Sequence, residues 1–192
     1  KRRRTKADRE YELIDTGVFD ERRYFDVFVE YAKSDTEDIL VRISAFNRGP
    51  DAAPLHLLPT LWFRNTWSWA DGGARPLLKA LSAKGHAVVH AHHNDPLFQE
   101  SLADYFLYCE GDTPLLFTEN ESNHERLFGG QNASPYVKDA FHRLLVQDDT
   151  AAVNAAREGT KAAAHYAVKV EAGGTQVVRL RLTRREPAEV AR

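Results

Sequence analysis

The chain has 192 residues, of which 43% are hydrophobic and 28% are charged, a composition typical of a globular protein and not of a disordered or fibrous one. Its 26 Lys and Arg residues nearly balance 28 Asp and Glu residues, so the formal net charge is −2. This excludes the strongly basic balance that is typical of nucleic-acid-binding proteins. We expect no nucleic-acid partner. No apolar run approaches the ~18 residues that a membrane span requires, so we expect no membrane partner either.

Both ends of the chain are charged and lack an apolar pattern. Residues 1–10 include six Lys and Arg, and residues 184–192 contain Pro187 among charged side chains. We interpret 1–10 as a basic tether, although an arm that binds nucleic acid or an anionic surface is the alternative. The chain contains no methionine, which suggests a piece of a longer polypeptide. We therefore expect a domain at 11–183 and a linker toward a missing catalytic domain at 184–192.

Alternation with a period of two dominates the first half of the chain. In the segment RYFDVFVEYAK, Phe25, Val27, Val29 and Tyr31 would share one face, as expected for a strand. The segment DILVRISAFNR, 38–48, alternates in the same way. Further strands are predicted at Leu55–Trp69, His86–His92, Tyr105–Glu110, Leu115–Glu119, Phe141–Gln147, Ala162–Val170 and Thr175–Thr183.

Two features modify this strand pattern. Pro59 lies inside the predicted strand Leu55–Trp69 and indicates an edge strand or a bulge, because proline donates no ladder hydrogen bond. The run Glu171–Gly174 between the last two strands predicts a hairpin. Helix signals are short and occur at Arg75–Lys84, Ser122–Phe128 and Ala151–Glu158. We predict an all-β fold, a large antiparallel β-sandwich with a few short helical turns.

All three tryptophans lie within the stretch Trp62–Trp69. An indole ring stacks well on the C–H face of a sugar, and nearby Arg and Asn side chains are suited to hydrogen-bond hydroxyl groups. The stretch is therefore a candidate carbohydrate-contacting strand or domain interface, and an aromatic plug in the sandwich core is the alternative. The polar runs at 120–126 and 134–139 are candidate pocket loops, because sandwich domains carry function on loops.

Four histidines cluster at His86, His90, His92 and His93. His90 and His92 would share a strand face, and such a pair is able to chelate zinc or iron. His86 would share that face, the pattern needs a third or fourth ligand for which Asp95 and Glu100 are candidates, and no complete ligand motif is present. We therefore expect no metal and no cofactor. The single cysteine, Cys109, excludes an intrachain disulfide. It fits a reducing compartment, and we expect a cytoplasmic location, although a domain that needs no disulfides is the alternative.

Several long runs resemble the bacterial relatives of the family-63 glycoside hydrolases, which are similar to the processing α-glucosidase I. The runs are FDERRYFDVFVEYAKSDTEDILVRISAFNRGPDAAPLHLLPTLWFRNTWSW, LLFTENESNHERLFG, NASPYVKDAFHR and GTKAAAHYAVKV. The resemblance implies an N-terminal sandwich of the supersandwich type, followed in the family by an (α/α) toroid that carries the catalytic acid and base. No catalytic residue is therefore assigned to this chain.

The resemblance implies a supporting role, in which the domain packs on the toroid of an inverting α-glycosidase and shapes its sugar pocket. The implied partners are that C-terminal catalytic domain and a carbohydrate substrate, and the isolated chain is a possible homodimer. Two alternatives remain, an autonomous carbohydrate-binding module and a small metal-dependent β-sandwich enzyme that uses His90 and His92. On side-chain chemistry and loop position, the candidate substrate-binding residues are Trp62, Arg64, Asn65, Trp67, Lys138 and Asp139.

Overall fold

The structure is a computed structural model that describes residues 5–68, 74–83, 85–93 and 104–190. Within those ranges it contains twelve strands, β1 (Phe25–Asp35), β2 (Asp38–Asn47), β3 (Ala53–Leu57), β4 (Thr60–Trp62), β5 (Leu77–Ala83), β6 (His86–His92), β7 (Asp104–Glu110), β8 (Leu115–Thr118), β9 (Glu158–Gly159), β10 (Lys161–Ala164), β11 (Tyr166–Val170) and β12 (Thr175–Thr183). The α-helices are α1 (His124–Phe128), α2 (Ala140–Gln147) and α3 (Pro187–Val190), and short 3-10 helices occupy Leu13–Thr16 and Thr150–Ala152.

The strands form three antiparallel sheets. The largest has the order β1-β2-β12-β7-β6-β5-β9, and two smaller sheets have the orders β4-β10-β8 and β11-β3. One hydrophobic core joins them, because buried side chains of the large sheet pack with Leu57 of β3, Phe117 of β8 and Ala162 of β10. The predicted all-β, sandwich-like architecture is confirmed. None of the helices in the described ranges has the length and apolar character needed to cross a lipid bilayer.

The β1–β2 hairpin follows the alternation that the sequence predicts. Val29 pairs with Ile43, and Tyr31 pairs with Val41, so their side chains share one face of the sheet. The hairpin is anchored at its turn by Asp38, whose side chain is 3% exposed and accepts hydrogen bonds from Arg181 of β12 at 2.8 and 2.5 Å. This pair fixes the edge of β2 against the centre of the sheet.

Two predicted long strands are each interrupted. The segment Leu55–Trp69 forms β3 and β4 with a break at Pro59, whose carbonyl accepts a hydrogen bond from the Ala164 amide at 3.2 Å. The segment then continues without strand structure from Phe63 to Ser68, and Trp69 lies outside the described residues. Similarly, Ala162–Val170 divides into β10 and β11 at His165. Each break moves the chain from one small sheet to the other.

The predicted hairpin around Glu171–Gly174 is wrong. The strand before it, β11, pairs with β3, whereas the strand after it, β12, pairs with β2 and β7. The turn itself forms, with the Gly174 amide donating to the Glu171 carbonyl at 2.8 Å. Local turn chemistry therefore predicted the change of direction correctly, but the two strands enter different sheets.

Three short elements also differ from prediction. Phe141–Gln147, expected as a strand, lies in helix α2, and Arg75–Lys84, expected as helical turns, contains strand β5. The segment Ala151–Glu158 forms only the end of a 3-10 helix and the start of β9. In α2, apolar side chains at Phe141, Leu144 and Leu145 have helical spacing as well as partial alternation, so short-range pattern alone is ambiguous. The helical expectation at Ser122–Phe128 is met by α1.

Candidate functional site

A polar cleft of about 560 Å³ opens at the end of the sheet β4-β10-β8. Three predicted site residues line this cleft, namely Trp62, Asn65 and Lys138, together with Ser68, Asn120, Ser122 and Lys161. Trp62 ends β4 and pairs across the sheet with Lys161 of β10. Because the register places these two residues side by side, an indole ring and an ammonium group flank the same opening.

Trp62 keeps 55% of its surface exposed. Large aromatic side chains usually lose most of their surface on folding, so this exposure is unusual for a tryptophan. The core-plug alternative therefore does not describe Trp62.

Two asparagines hold the cleft wall in place. The Asn65 side-chain amide donates to the Asn120 carbonyl at 3.0 Å, and the Asn120 side-chain amide donates to the Phe63 carbonyl at 2.9 Å. The Asn65 side-chain oxygen also accepts from the Ser68 amide at 3.2 Å. These bonds fix the irregular segment after β4 against the segment after β8. An amide nitrogen carries two hydrogens, so each side chain has a second donor beyond the one used here.

Thr160 links the residues that lie behind the two asparagines. Its hydroxyl donates to Glu119 Oε2 at 2.6 Å and accepts from the Asn120 amide at 2.8 Å. The contact depends on Gly159, where an added Cβ would lie 2.5 Å from the Thr118 carbonyl oxygen. A glycine is therefore required for β9 and β10 to approach β8 this closely.

Two lysines contribute the positive charge of the cleft. Lys138 Nζ donates to Ser122 Oγ at 3.0 Å, and Lys161 Nζ donates to the Lys138 carbonyl at 2.6 Å. Lys161 Nζ also lies 4.9 Å from the centre of the Phe141 ring. Burial, reinforced by the charge of Lys138, lowers the pKa of Lys161.

The remaining predicted residues lie outside the cleft lining. Trp67 is partly buried, and its indole N–H donates to Glu121 Oε1 at 3.2 Å. Asp139 pairs with Arg126 at 2.8 Å and accepts from Asn123 at 3.3 Å. Burial alone would raise the pKa of Asp139, but these hydrogen bonds outweigh it and lower that pKa. Arg64 is exposed between Trp62 and Asn65.

A bridging arginine stands next to Trp67. Arg75 Nη2 lies 2.7 Å from Glu119 Oε2 and 3.4 Å from Glu121 Oε1. The two glutamate side chains are 14% and 21% exposed. Glu119 and Glu121 are therefore paired with the same guanidinium group.

Of the other lining residues, Ser68 lies in the predicted sugar-contacting stretch Trp62–Trp69, and Asn120 and Ser122 lie in the predicted pocket loop 120–126, so that only Lys161 escapes the sequence prediction. The structure brings the runs 120–126 and 134–139 together at the cleft through the Lys138–Ser122 contact. Lys161 is a lone charged residue before three alanines at the start of β10. A charge at that position of a buried strand is the signal that could have identified it.

A second large opening is apolar. A groove of about 420 Å³ lies over the β1–β2 face, lined by aliphatic side chains and Tyr31. Val27 and Val29 are each 47% exposed there, and Tyr31 is 73% exposed. We call this surface, formed by Val27, Val29 and Tyr31, the apolar face.

The histidine cluster is a separate constellation on β6 and β7. Asp104 Oδ1 lies 2.5 Å from His90 Nε2 and 3.0 Å from His92 Nδ1. The expected third ligands, Asp95 and Glu100, lie outside the described residues. His86 instead approaches the Tyr108 ring edge-on, and His93 approaches the Phe63 ring.

Comparison with known proteins gives one informative relative. No family model matches the chain. The chain is 35% identical over 204 residues to an uncharacterized protein of Saccharomyces cerevisiae, YMR196W. The match covers 92% of this chain but 19% of the yeast protein. The chain therefore spans about a fifth of the length of the curated relative that it matches.

Proposed function

We propose that this chain is a non-catalytic β-sandwich domain of an inverting, glucosidase-like α-glycosidase, of the supersandwich type, that packs on an (α/α) toroid and shapes its sugar pocket. The observation that carries the proposal is the 55% exposed Trp62 at the mouth of a cleft lined by amide, hydroxyl and ammonium groups. The proposal extends the resemblance to the family-63 glycoside hydrolases.

The cleft has the chemistry that sugar recognition requires. A flat indole ring stacks on the apolar C–H face of a pyranose, while polar groups bind its hydroxyls. Trp62 provides the ring, and Asn65 and Asn120 provide amides that are already oriented by backbone hydrogen bonds. Preorganised side chains lose little conformational freedom on binding. In this proposal, Lys138 and Lys161 donate to hydroxyl oxygens at the cleft floor.

The carboxylates near the cleft support a non-catalytic role. An inverting glycosidase requires a carboxylic acid and a carboxylate ~6.5–9.5 Å apart with a sugar between them. Glu119 and Glu121 instead share Arg75, and Glu119 also accepts from Thr160. Residues held in a shared ion pair are suited to maintaining structure. The catalytic pair would therefore belong to the toroid.

The apolar face supports a partner domain. Contiguous exposed apolar surface on a folded domain commonly marks an interaction site. Val27, Val29 and Tyr31 form such a surface on one strand. In this proposal the toroid covers it, and the same surface accounts for a homodimer of the isolated chain. The yeast relative extends far beyond the matched segment, which agrees with a larger multidomain polypeptide.

A cytoplasmic location is part of the same proposal. Its support is the single cysteine, Cys109, which is fully buried and unpaired. Burial raises the pKa of this thiol to about 12, so it is a structural side chain that a reducing environment leaves unchanged.

The test measures hydrolysis of a panel of α-glucosides and α-mannosides. It compares this chain with the complete gene product that contains it. We expect hydrolysis by the complete product alone. In that product, Trp62→Ala should raise KM about tenfold with kcat nearly unchanged, because a stacking contact contributes roughly equally to ground and transition states. Phe128→Ala, which removes a 73% exposed aromatic side chain outside the cleft lining, is the control and should leave KM unchanged. Hydrolysis by the 192-residue chain itself would contradict the proposal.

An autonomous carbohydrate-binding module is the second candidate, favoured by the same exposure of Trp62. The two candidates differ in whether the isolated chain binds an oligosaccharide as tightly as the complete product does. A module binds an oligosaccharide with full affinity as an isolated chain, whereas a pocket-shaping domain binds weakly until the catalytic domain is present. Calorimetric titration of both forms with the best substrate of the panel separates them.

A further inference from the structure

We propose that His90, His92 and Asp104 form a binding site for a divalent transition-metal ion. One donor atom from each residue lies within 4.8 Å of the other two. The site is independent of the cleft and of the function proposed above. Its ligand class is a borderline cation that prefers imidazole, such as Zn²⁺.

The strand register places the three ligands together. His90 and His92 are two residues apart on β6, so their side chains project from the same face. Across the sheet, His92 is the direct partner of Asp104, and His90 is the partner of Phe106. Two rungs of one ladder, separated by the pair Ala91 and Tyr105, therefore supply all three ligands, and their backbone positions are fixed by the sheet.

The donor atoms already lie close together around one carboxylate oxygen. Asp104 Oδ1 contacts both His90 Nε2 and His92 Nδ1, at 2.5 and 3.0 Å. Ligands of a tetrahedral zinc ion, at ~2.0–2.1 Å from the metal, lie about 3.3 Å from one another. The two spacings to Asp104 Oδ1 differ from this value by less than 1 Å, and the donor atoms of His90 and His92 lie within 4.8 Å of each other. Side-chain rotations that separate the hydrogen-bonded atoms would admit the ion. Three protein ligands leave one or more positions for water.

The surroundings orient the site and leave it accessible. The His90 ring stacks on Phe106 with 4.9 Å between the ring centres, which restricts its rotation. The side chains of His90, His92 and Asp104 are 29%, 45% and 46% exposed. They occupy the face of β6 and β7 opposite Val89 and Leu107, which belong to the main core. Metal binding there needs no opening of the sandwich.

A second histidine pair provides a matched comparison. His56 Nδ1 lies 2.8 Å from His165 Nε2, and the two rings stack. No carboxylate belongs to this pair among the metal-ligand groups of the described residues. It offers the same two imidazoles without the third ligand, so it should bind metal far more weakly.

The test is calorimetric titration of ZnCl₂ into the untagged, chelator-treated chain near neutral pH. We expect one ion per chain with a dissociation constant in the micromolar range or below. His90→Gln/His92→Gln should weaken binding at least 100-fold, and Asp104→Asn at least tenfold. The control His56→Gln/His165→Gln should leave the affinity unchanged. MgCl₂ should give no binding, because Mg²⁺ requires oxygen ligands.

Two results would overturn the proposal. One is zinc binding that survives in the His90→Gln/His92→Gln variant or is lost in the control. The other is the absence of zinc binding up to millimolar concentration by a chain whose circular dichroism shows folded β-structure. Histidine ring signals in NMR spectra provide a readout that does not depend on variants, since those of His90 and His92 should shift on zinc addition while that of exposed His142 stays in place.

Discussion

The polar cleft and the apolar face are openings of similar size with opposite chemistry, at about 560 and 420 Å³. In the cleft, hydrogen bonds to backbone carbonyls hold side chains such as Asn65 and Lys161. On the apolar face, Val29 is 47% exposed and lines an apolar groove. The difference teaches that the cleft presents polar groups oriented by hydrogen bonds, as the proposed sugar contact requires, whereas the apolar face presents aliphatic and aromatic surface, as the proposed domain contact requires.

The largest expected effect concerns the ion pair that anchors the sheet beneath the apolar face. Asp38→Asn removes a charge that is 3% exposed and leaves Arg181 without its partner. We expect a loss of about 2–4 kcal/mol in the free energy of unfolding. The reason is that the remaining charge of a broken buried pair stays desolvated without the opposite charge that offset this cost. Glu30→Gln, which breaks an exposed pair with Arg42, is the control and should cost less than about 1 kcal/mol. Urea unfolding measures both.

This ion pair also predicts a pH dependence. The Arg181 hydrogen bonds hold the pKa of Asp38 below its ordinary value of 3.8. The carboxylate therefore stabilises the fold fully above about pH 4, and this contribution disappears as pH falls through the lower folded-state pKa. The difference in unfolding free energy between the natural chain and Asp38→Asn should shrink below pH 4. A difference that is constant from pH 7 to pH 2 would contradict the assignment.

A smaller expected effect comes from comparing the same substitution, valine to alanine, in the core and on the apolar face. Val89 is 1% exposed in the core, whereas Val29 is 47% exposed. Val89→Ala should cost about 2–3 kcal/mol in unfolding free energy, because it removes buried methyl groups and leaves a cavity. Val29→Ala should cost less than about 1 kcal/mol. Equal losses in chemical denaturation would show that the apolar face is covered in the chain on its own.

The smallest expected effect concerns Gly159, which precedes Thr160 behind the cleft wall. In Gly159→Ala the new Cβ meets the Thr118 carbonyl at 2.5 Å, which should displace Thr160 and cost about 1–3 kcal/mol. Gly130→Ala, whose Cβ would lie 3.9 Å from its nearest neighbour, is the control and should be close to neutral. Thermal unfolding measures the stability, and a titration with an α-glucoside should show weaker binding for Gly159→Ala alone.

The sequence predicted the local parts of this fold well. Alternation identified β1 and β2 together with their shared faces, because the side-chain period of a strand is visible in sequence. Side-chain chemistry and loop position selected Trp62, Asn65 and Lys138, which line one cleft in the structure, and sugar binding by these residues stays a prediction. In these cases residue type and local pattern agree with the tertiary environment.

The rest depended on strand pairing, which a single sequence does not reveal. The segment 77–83 is a strand because it lies between β6 and β9, despite flanking residues that favour helical turns. Asp104 joins His90 and His92 only through the register of β6 with β7. Lys161 reaches the cleft because it pairs with Trp62. Each of these contacts joins residues that are separated in sequence, and the strand register decides which residues meet.

The most direct test of the central claim, that the cleft and not the apolar face contacts sugar, is an amide NMR titration of this chain with the oligosaccharide that the complete product cleaves best. We predict that at tens of millimolar ligand the largest shifts occur at the Trp62 indole N–H and at the amides of Asn65, Asn120 and Lys161. Shifts concentrated at Val29 and Tyr31, or an unchanged spectrum at the cleft residues, would contradict the account.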